Sequence, residues 1–199
     1  MLREEDHVDL PRSAVRFPLE LVTPAGLDPD DPATWPSVNG RLEYVGGKLL
    51  FMPPCADTQQ YVAADASFVL RAWTEGRDDF LVGTNEAGMR LGGETRGADA
   101  AVWRRADVGS VTGRFQRVPP LLAVEVAGQD EGETELRIKA SWYLEHGVRV
   151  VWLVLPDVRE VVVVRPDGES RHGLGGRLPA IDELPGLEPP VDRFFKQIV

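Results

Sequence analysis

Glu125 stands in the middle of an otherwise apolar run, Leu121-Leu-Ala-Val-Glu-Val-Ala127, bounded by Pro119-Pro120 before and Gly128 after. The run is short and apolar on both faces, which predicts a buried strand. Burying an unpaired carboxylate costs several kcal/mol or more, so Glu125 needs a partner: a proton, a cation or a ring of donors. Three other residues could meet it. Asp99 begins the stretch Asp99-Ala-Ala-Val-Trp103, which reads as a second strand entering the core. Lys139 lies in or beside the stripe Leu136, Ala140, Tyr143 and Leu144 of a predicted helix over 133–146. Glu43 shares a face with Val45 in a predicted hairpin over 41–52.

Two acids on core strands and an interior-leaning lysine suggest a site for a hard cation such as Mg²⁺ or Mn²⁺. Such an ion takes one or two carboxylates together with water and substrate phosphate. It lowers the pKa of a bound water and stabilises charge at phosphorus. A nearby lysine would orient or deprotonate that water, or steady the developing charge. Each residue also has a plainer reading. Lys139 could pair with Glu135 one turn earlier, Asp99 could satisfy loop amides after Gly97, and Glu43 could face solvent.

The elements that must position these groups follow in order. Residues 1–39 are punctuated by prolines at 11, 18, 24, 29, 32 and 36 and read as an irregular segment packed on the rest. The hairpin over 41–52 turns at Gly46-Gly47, where a two-residue turn needs positive φ. Val62, Ala66, Val69, Leu70 and Trp73 predict a helix over 58–75. Phe80–Thr84 and Met89–Leu91 read as two separate strands, with Gly92-Gly93 and Gly97 in a loop. The helix over 133–146 stops at Gly147. Strands follow at 148–155, 160–165 and 170–174, and a proline-rich tail runs from 178 to 199 with a last strand or helical turn near 193–198. The order predicts an α/β or α+β fold, a mixed central sheet flanked by helices, as one domain over 1–199. The unit over 121–155 should place its two strands parallel.

Composition narrows the function classes. Apolar residues make up 43% of the 199 and charged residues 27%, as in ordinary globular chains. The single cysteine, Cys55, offers no intrachain disulfide, and no apolar run is long enough to span a bilayer, so a cytoplasmic protein is expected. The net charge of −10 argues against non-specific coating of nucleic acid but not against an enzyme whose carboxylates hold metal. Six arginines between 90 and 117 against three acids make that stretch locally positive. The acids between 130 and 135 read as solvated surface. His7, His146 and His172, Cys55 and the five tryptophans read as structural.

Several of these pieces together resemble the Uma2 (DUF820) family of restriction-endonuclease-like proteins in the PD-(D/E)XK nuclease superfamily. They are Leu42-Glu-Tyr-Val-Gly-Gly-Lys-Leu-Leu-Phe-Met-Pro-Pro54, Gly97-Ala-Asp-Ala-Ala-Val102, Pro119-Pro-Leu-Leu-Ala-Val-Glu-Val126, Lys139 with Tyr143, and Val151-Trp-Leu-Val-Leu-Pro156. The resemblance covers roughly residues 40–175. It implies a restriction-endonuclease-like core with Mg²⁺ (or Mn²⁺) at Asp99 and Glu125, Lys139 serving the chemistry from a helix and not from strand position 127, and Glu43 as an extra ligand or water-holder. Gln59 stands where many members have His, and with Arg96 it is a candidate substrate contact. Ala98 replaces the usual Pro, Ala127-Gly128-Gln129 the usual Leu-Ser-Pro, and Glu135 a frequent Asp.

The expectation is a Mg²⁺-dependent endonuclease that hydrolyses DNA, acting as a homodimer. The alternative is a catalytically inactive nuclease-fold module for binding or dimerisation. A small-molecule hydrolase has no nucleophile–histidine pair behind it.

Overall fold

A computed structural model describes residues 14–110 and 113–198, and the prediction about His7 falls outside them. Among the described residues nine strands make one sheet. They are β1 (Leu19–Leu21), β2 (Arg41–Val45), β3 (Lys48–Met52), β4 (Phe80–Leu91), β5 (Glu94–Arg104), β6 (Leu122–Val126), β7 (Val150–Leu155), β8 (Glu160–Arg165) and β9 (Gly168–Gly173). The helices are α1 (Asp57–Thr74), the short α2 (Arg105–Val108) and α3 (Glu133–Glu145). The sheet is mixed. Among these strands only β6 and β7 pair in parallel, with α3 as their crossover. The expected α+β architecture is therefore present.

Apolar alternation splits the core into two layers. Leu122, Val124, Val126, Trp152 and Val154 belong to the layer of α1, together with its Val62, Ala66, Leu70 and Trp73. The C-terminal tail closes the same layer with Leu178, Leu184, Leu187 and Phe194. On the opposite face Ala123, Val151 and Leu153 pack with Leu136, Ala140 and Tyr143 of α3. Glu125 lies between Ala123 and Ala127 on this second face, as the two-residue period demands.

β4 and β5 differ from expectation. Residues 80–91 form one long strand, not two pieces, and Gly97 lies within β5, not in a loop. The reason is the hairpin turn at Gly92-Gly93, whose positive φ values let twelve residues fold back on eleven. A register shift between Thr84 and Ala87 sets two residues, Asn85 and Glu86, both with positive φ, opposite the single Asp99, one residue more than the partner strand. Such bulges re-aim side chains; here the one displaced is Glu86.

The other edge of β5 is shared. β2 pairs with it at Thr95, whereas β6 pairs with it at Ala100–Val102. Between these contacts the sheet forks along residues 96–99. Asp99 thus sits inside a strand, at the point where the ladder to β6 stops.

Candidate active site

At the fork the Val126 amide donates to Asp99 Oδ2 at 2.7 Å. The carboxylate takes a bond that a strand carbonyl would otherwise supply, which fixes Asp99 beside β6. Asp99 is half-buried. Burial raises its pKa, and the Val126 amide and Arg41 act against that rise.

Glu125 is 1% exposed. The Tyr143 hydroxyl donates to its Oε1 at 2.6 Å, and Lys139 Nζ lies 3.4 Å from Oε2. Positions 139 and 143 are one turn apart on α3, so both side chains reach the same point of the sheet. Burial pushes the Glu125 carboxyl up to about 8, with Lys139 opposing the rise and Asp99 adding to it. Burial disfavours the Lys139 ammonium, but Glu125, Glu43 and Glu131 outweigh it and raise its pKa. Glu135 does not take Lys139; it turns back to the Gly132 amide at 3.0 Å and caps α3.

Glu43 is buried at 4% exposure. It brackets two arginines, with Arg41 Nε 3.7 Å from Oε1 and Arg96 Nη1 3.5 Å from Oε2. Arg96 also lies over the Trp142 ring, 5.0 Å from its centroid, and is largely covered. Two other arginines of the locally positive stretch are committed as well: Arg90 and Arg117 both pair with Asp30.

Three residues of the cluster, Glu131, Arg41 and Glu86, were not singled out by the sequence. Glu131, from the acidic stretch read as surface, is 8% exposed and accepts from Lys139 at 2.8 Å and from Arg41 at 2.6 Å. Burial works to raise its pKa, but these two cations prevail and lower it. Arg41 in turn reaches Glu86 on the bulge at 3.0 Å. The one available clue was Arg41 itself, a cation opening a strand that also carries Glu43.

Arg41, Glu86 and Glu131 line a cleft of about 270 Å³, together with Cys55 and Gln59 at the start of α1. Gln59 donates to the Val126 carbonyl at 3.1 Å. It lies so close to Gly128 that a Cβ there would stand 2.2 Å from its Oε1. Gly128 is therefore what lets Gln59 lie flat across the end of β6.

Among the described residues no three His, Cys, Asp or Glu side chains form a ready-made metal cage. Mg²⁺ does not need one, since one or two carboxylates suffice beside water and phosphate. The donor chemistry fits such an ion: the cluster holds more carboxylates than cations. Five carboxylates (Glu43, Glu86, Asp99, Glu125 and Glu131) share three cations, Arg41, Arg96 and Lys139. A divalent ion would favour the charged forms of Asp99 and Glu125, the two carboxyls that burial raises.

A family model described as "Uma2: Putative restriction endonuclease" matches residues 31–192. The chain belongs to the Uma2 family. Its fold is similar to a crystal structure described as a putative nuclease belonging to DUF820 from Anabaena variabilis ATCC 29413, with a TM-score of 0.73 and 17% sequence identity. That similarity covers 84% of this chain and 96% of the other. No curated protein matches. The Uma2 match extends on both sides of the motif-bearing region and includes every residue of the cluster above. Among the described residues no helix is long and apolar enough to cross a membrane.

Proposed function

We propose that this Uma2 protein hydrolyses phosphodiester bonds of DNA, with Mg²⁺ or Mn²⁺ held by Asp99 and Glu125. The observation that carries this reading is the fork in the sheet. It sets a half-buried Asp99 beside a buried Glu125, with Lys139 3.4 Å from the latter. The bound ion would supply Lewis acidity and a water of lowered pKa. The chain's own residues supply the rest. Tyr143 orients Glu125 through its hydroxyl, fixing which oxygen faces Lys139. Lys139 presents an ammonium that can orient a water or meet charge on a phosphate oxygen. Glu43 holds Arg41 and Arg96 in place. Gln59 lies at the cleft and is the nearer substrate contact, whereas Arg96 is spent on Glu43 and Trp142. In this reading the whole chain is one domain, and a homodimer would bring two centres to the two strands of a duplex.

A fold without activity is the second reading. It is favoured by Lys139, which lies nearer to Glu131 than to Glu125. One experiment separates them: cleavage of plasmid and single-stranded DNA with Mg²⁺ or Mn²⁺, comparing wild type with Glu125→Ala and Lys139→Ala, beside calorimetry of metal binding. Metal-dependent nicking lost in both variants supports the nuclease. Absence of both cleavage and metal binding supports the inactive module. Sedimentation of the same samples tests the dimer.

A further inference from the structure

A second cavity, of about 310 Å³, adjoins the cleft of Arg41, Glu86 and Glu131 at Gln59. It shares Ala56, Gln59 and Gln129 with the first cleft, so the two are neighbouring chambers divided at Gln59. Its floor is Ala127 and Leu155, just past and at the C-terminal ends of the parallel strands β6 and β7. Crevices at the carboxyl ends of parallel strands are common ligand sites. The wall is mixed. Val158 is 59% exposed at its rim, and Thr58, Gln129 and Asp157 bring polar groups.

Charge decides what could enter. The starts of α1 and α3 border the cavity, and bare helix starts attract anions. Both are already supplied with carboxylates: Asp57 lies in the first turn of α1, and Glu133 and Glu135 in that of α3. Glu133 is further tied to Arg137 and Arg171. With Asp157 also in the lining, the wall is rich in acceptors and unfavourable to phosphate. A flat, neutral group with an apolar face and N–H donors on its edge fits it. Within a nucleic acid that group is a base. Carboxylates accept from the amino group of cytosine, and Gln pairs with adenine, whereas thymine offers no exocyclic amino group.

We propose that this cavity binds a nucleobase bearing an exocyclic amino group, beside the cleft lined by Arg41, Glu86 and Glu131. The proposal rests on the nucleic-acid reading above for its meaning, but its test does not. Metal-free protein is titrated with 2′-deoxycytidine, 2′-deoxyadenosine and thymidine while backbone amide shifts are followed by NMR. These probes carry no phosphate and need no ion. The expected result is saturable shifts at Thr58, Gln129 and Asp157, with the two amino-bearing nucleosides binding about tenfold tighter than thymidine. Thr58→Trp, on an exposed first-turn position, fills the cavity and should remove those shifts. Asp157→Asn should reduce the preference over thymidine to about twofold or less. No saturable shift at these residues, or equal binding of all three nucleosides, overturns the proposal. So does binding unchanged in Thr58→Trp when that variant keeps the wild-type dichroism spectrum. Binding seen in a protein that cleaves no DNA would sink the nuclease reading and leave the base pocket standing. Cleavage without nucleoside binding would do the reverse.

Discussion

Lys139 Nζ lies 2.8 Å from Glu131 Oε1, closer than the 3.4 Å that separates it from Glu125 Oε2. A residue of the loop between β6 and α3 therefore competes with the strand's own carboxylate for the same ammonium. Glu131 also holds Arg41, so it links the buried layer to the cleft. Replacing it by Gln leaves two buried cations short of one partner. Breaking a buried pair typically costs about 3–5 kcal/mol. Because Lys139 and Arg41 keep other carboxylates, a loss of roughly 1–3 kcal/mol is expected for Glu131→Gln in urea unfolding. Glu133→Gln, which breaks more exposed pairs with Arg137 and Arg171, should cost at most about 1 kcal/mol. Equal costs would show that Glu131 is no more than a surface acid.

Glu125 ties stability to pH in metal-free buffer. Its folded pKa is about 8 against an ordinary 4.5. The folded state thus holds this proton more tightly than the unfolded chain. Its contribution is fully present below about pH 4.5 and is lost as pH rises through 8. Glu125→Gln mimics the protonated group and keeps an acceptor for Tyr143. It should raise the melting temperature at about pH 8–9 and have little effect near pH 5. A variant less stable than wild type at about pH 9 would show that the charged form is the favoured one.

Cys55 reports on Asp99 from a distance. Burial and then the Asp99 carboxylate raise the thiol's pKa. At about pH 8 the thiolate fraction is therefore smaller than for a free thiol, and reaction with a disulfide reagent should be slow. Asp99→Asn should quicken it a few-fold. Mg²⁺ bound at Asp99 should act in the same direction on the wild type and have no effect on Asp99→Asn. Identical rates with and without Mg²⁺, at concentrations where calorimetry shows binding, would place the ion elsewhere.

Gly128 and Gln59 should behave as one unit. A Cβ at 128 would meet Gln59 Oε1 at 2.2 Å, so Gly128→Ala must push the amide away from the Val126 carbonyl. The lost bond is worth about 1 kcal/mol, and Gln59→Ala loses the same bond. A double-mutant cycle should show that the second substitution adds little to the first. Full additivity would mean that Gln59 relaxes without losing its partner.

Periodicity carried most of the fold. The apolar runs over 121–127 and 148–155, and the stripe around Leu136, Ala140 and Tyr143, correspond closely to β6, β7 and α3. What it could not carry was pairing. Gly97 read as a loop residue because glycine interrupts strands on average, yet here it lies in β5, paired with Gly88 of β4. Glu131 read as surface because its neighbours are acidic; the loop before α3 folds that one side chain inward onto Lys139. Leu178, Leu184, Leu187 and Phe194 lie among prolines and lack a regular period, so nothing local marked them as the cover of α1's layer. Asp99 and Glu125 stood out because an acid in an apolar run is improbable by chance, whatever surrounds it.

The position of Lys139 on α3 also shapes what lies next to it. Supplied from α3, the ammonium leaves strand position 127 free for a methyl group, and Ala127 forms part of the floor of the 310 Å³ cavity. A lysine at 127 would send four methylenes and a charge into that volume. With the ammonium on α3, changes at 127–129 can reshape that room while leaving Glu125, Lys139 and Tyr143 where they are.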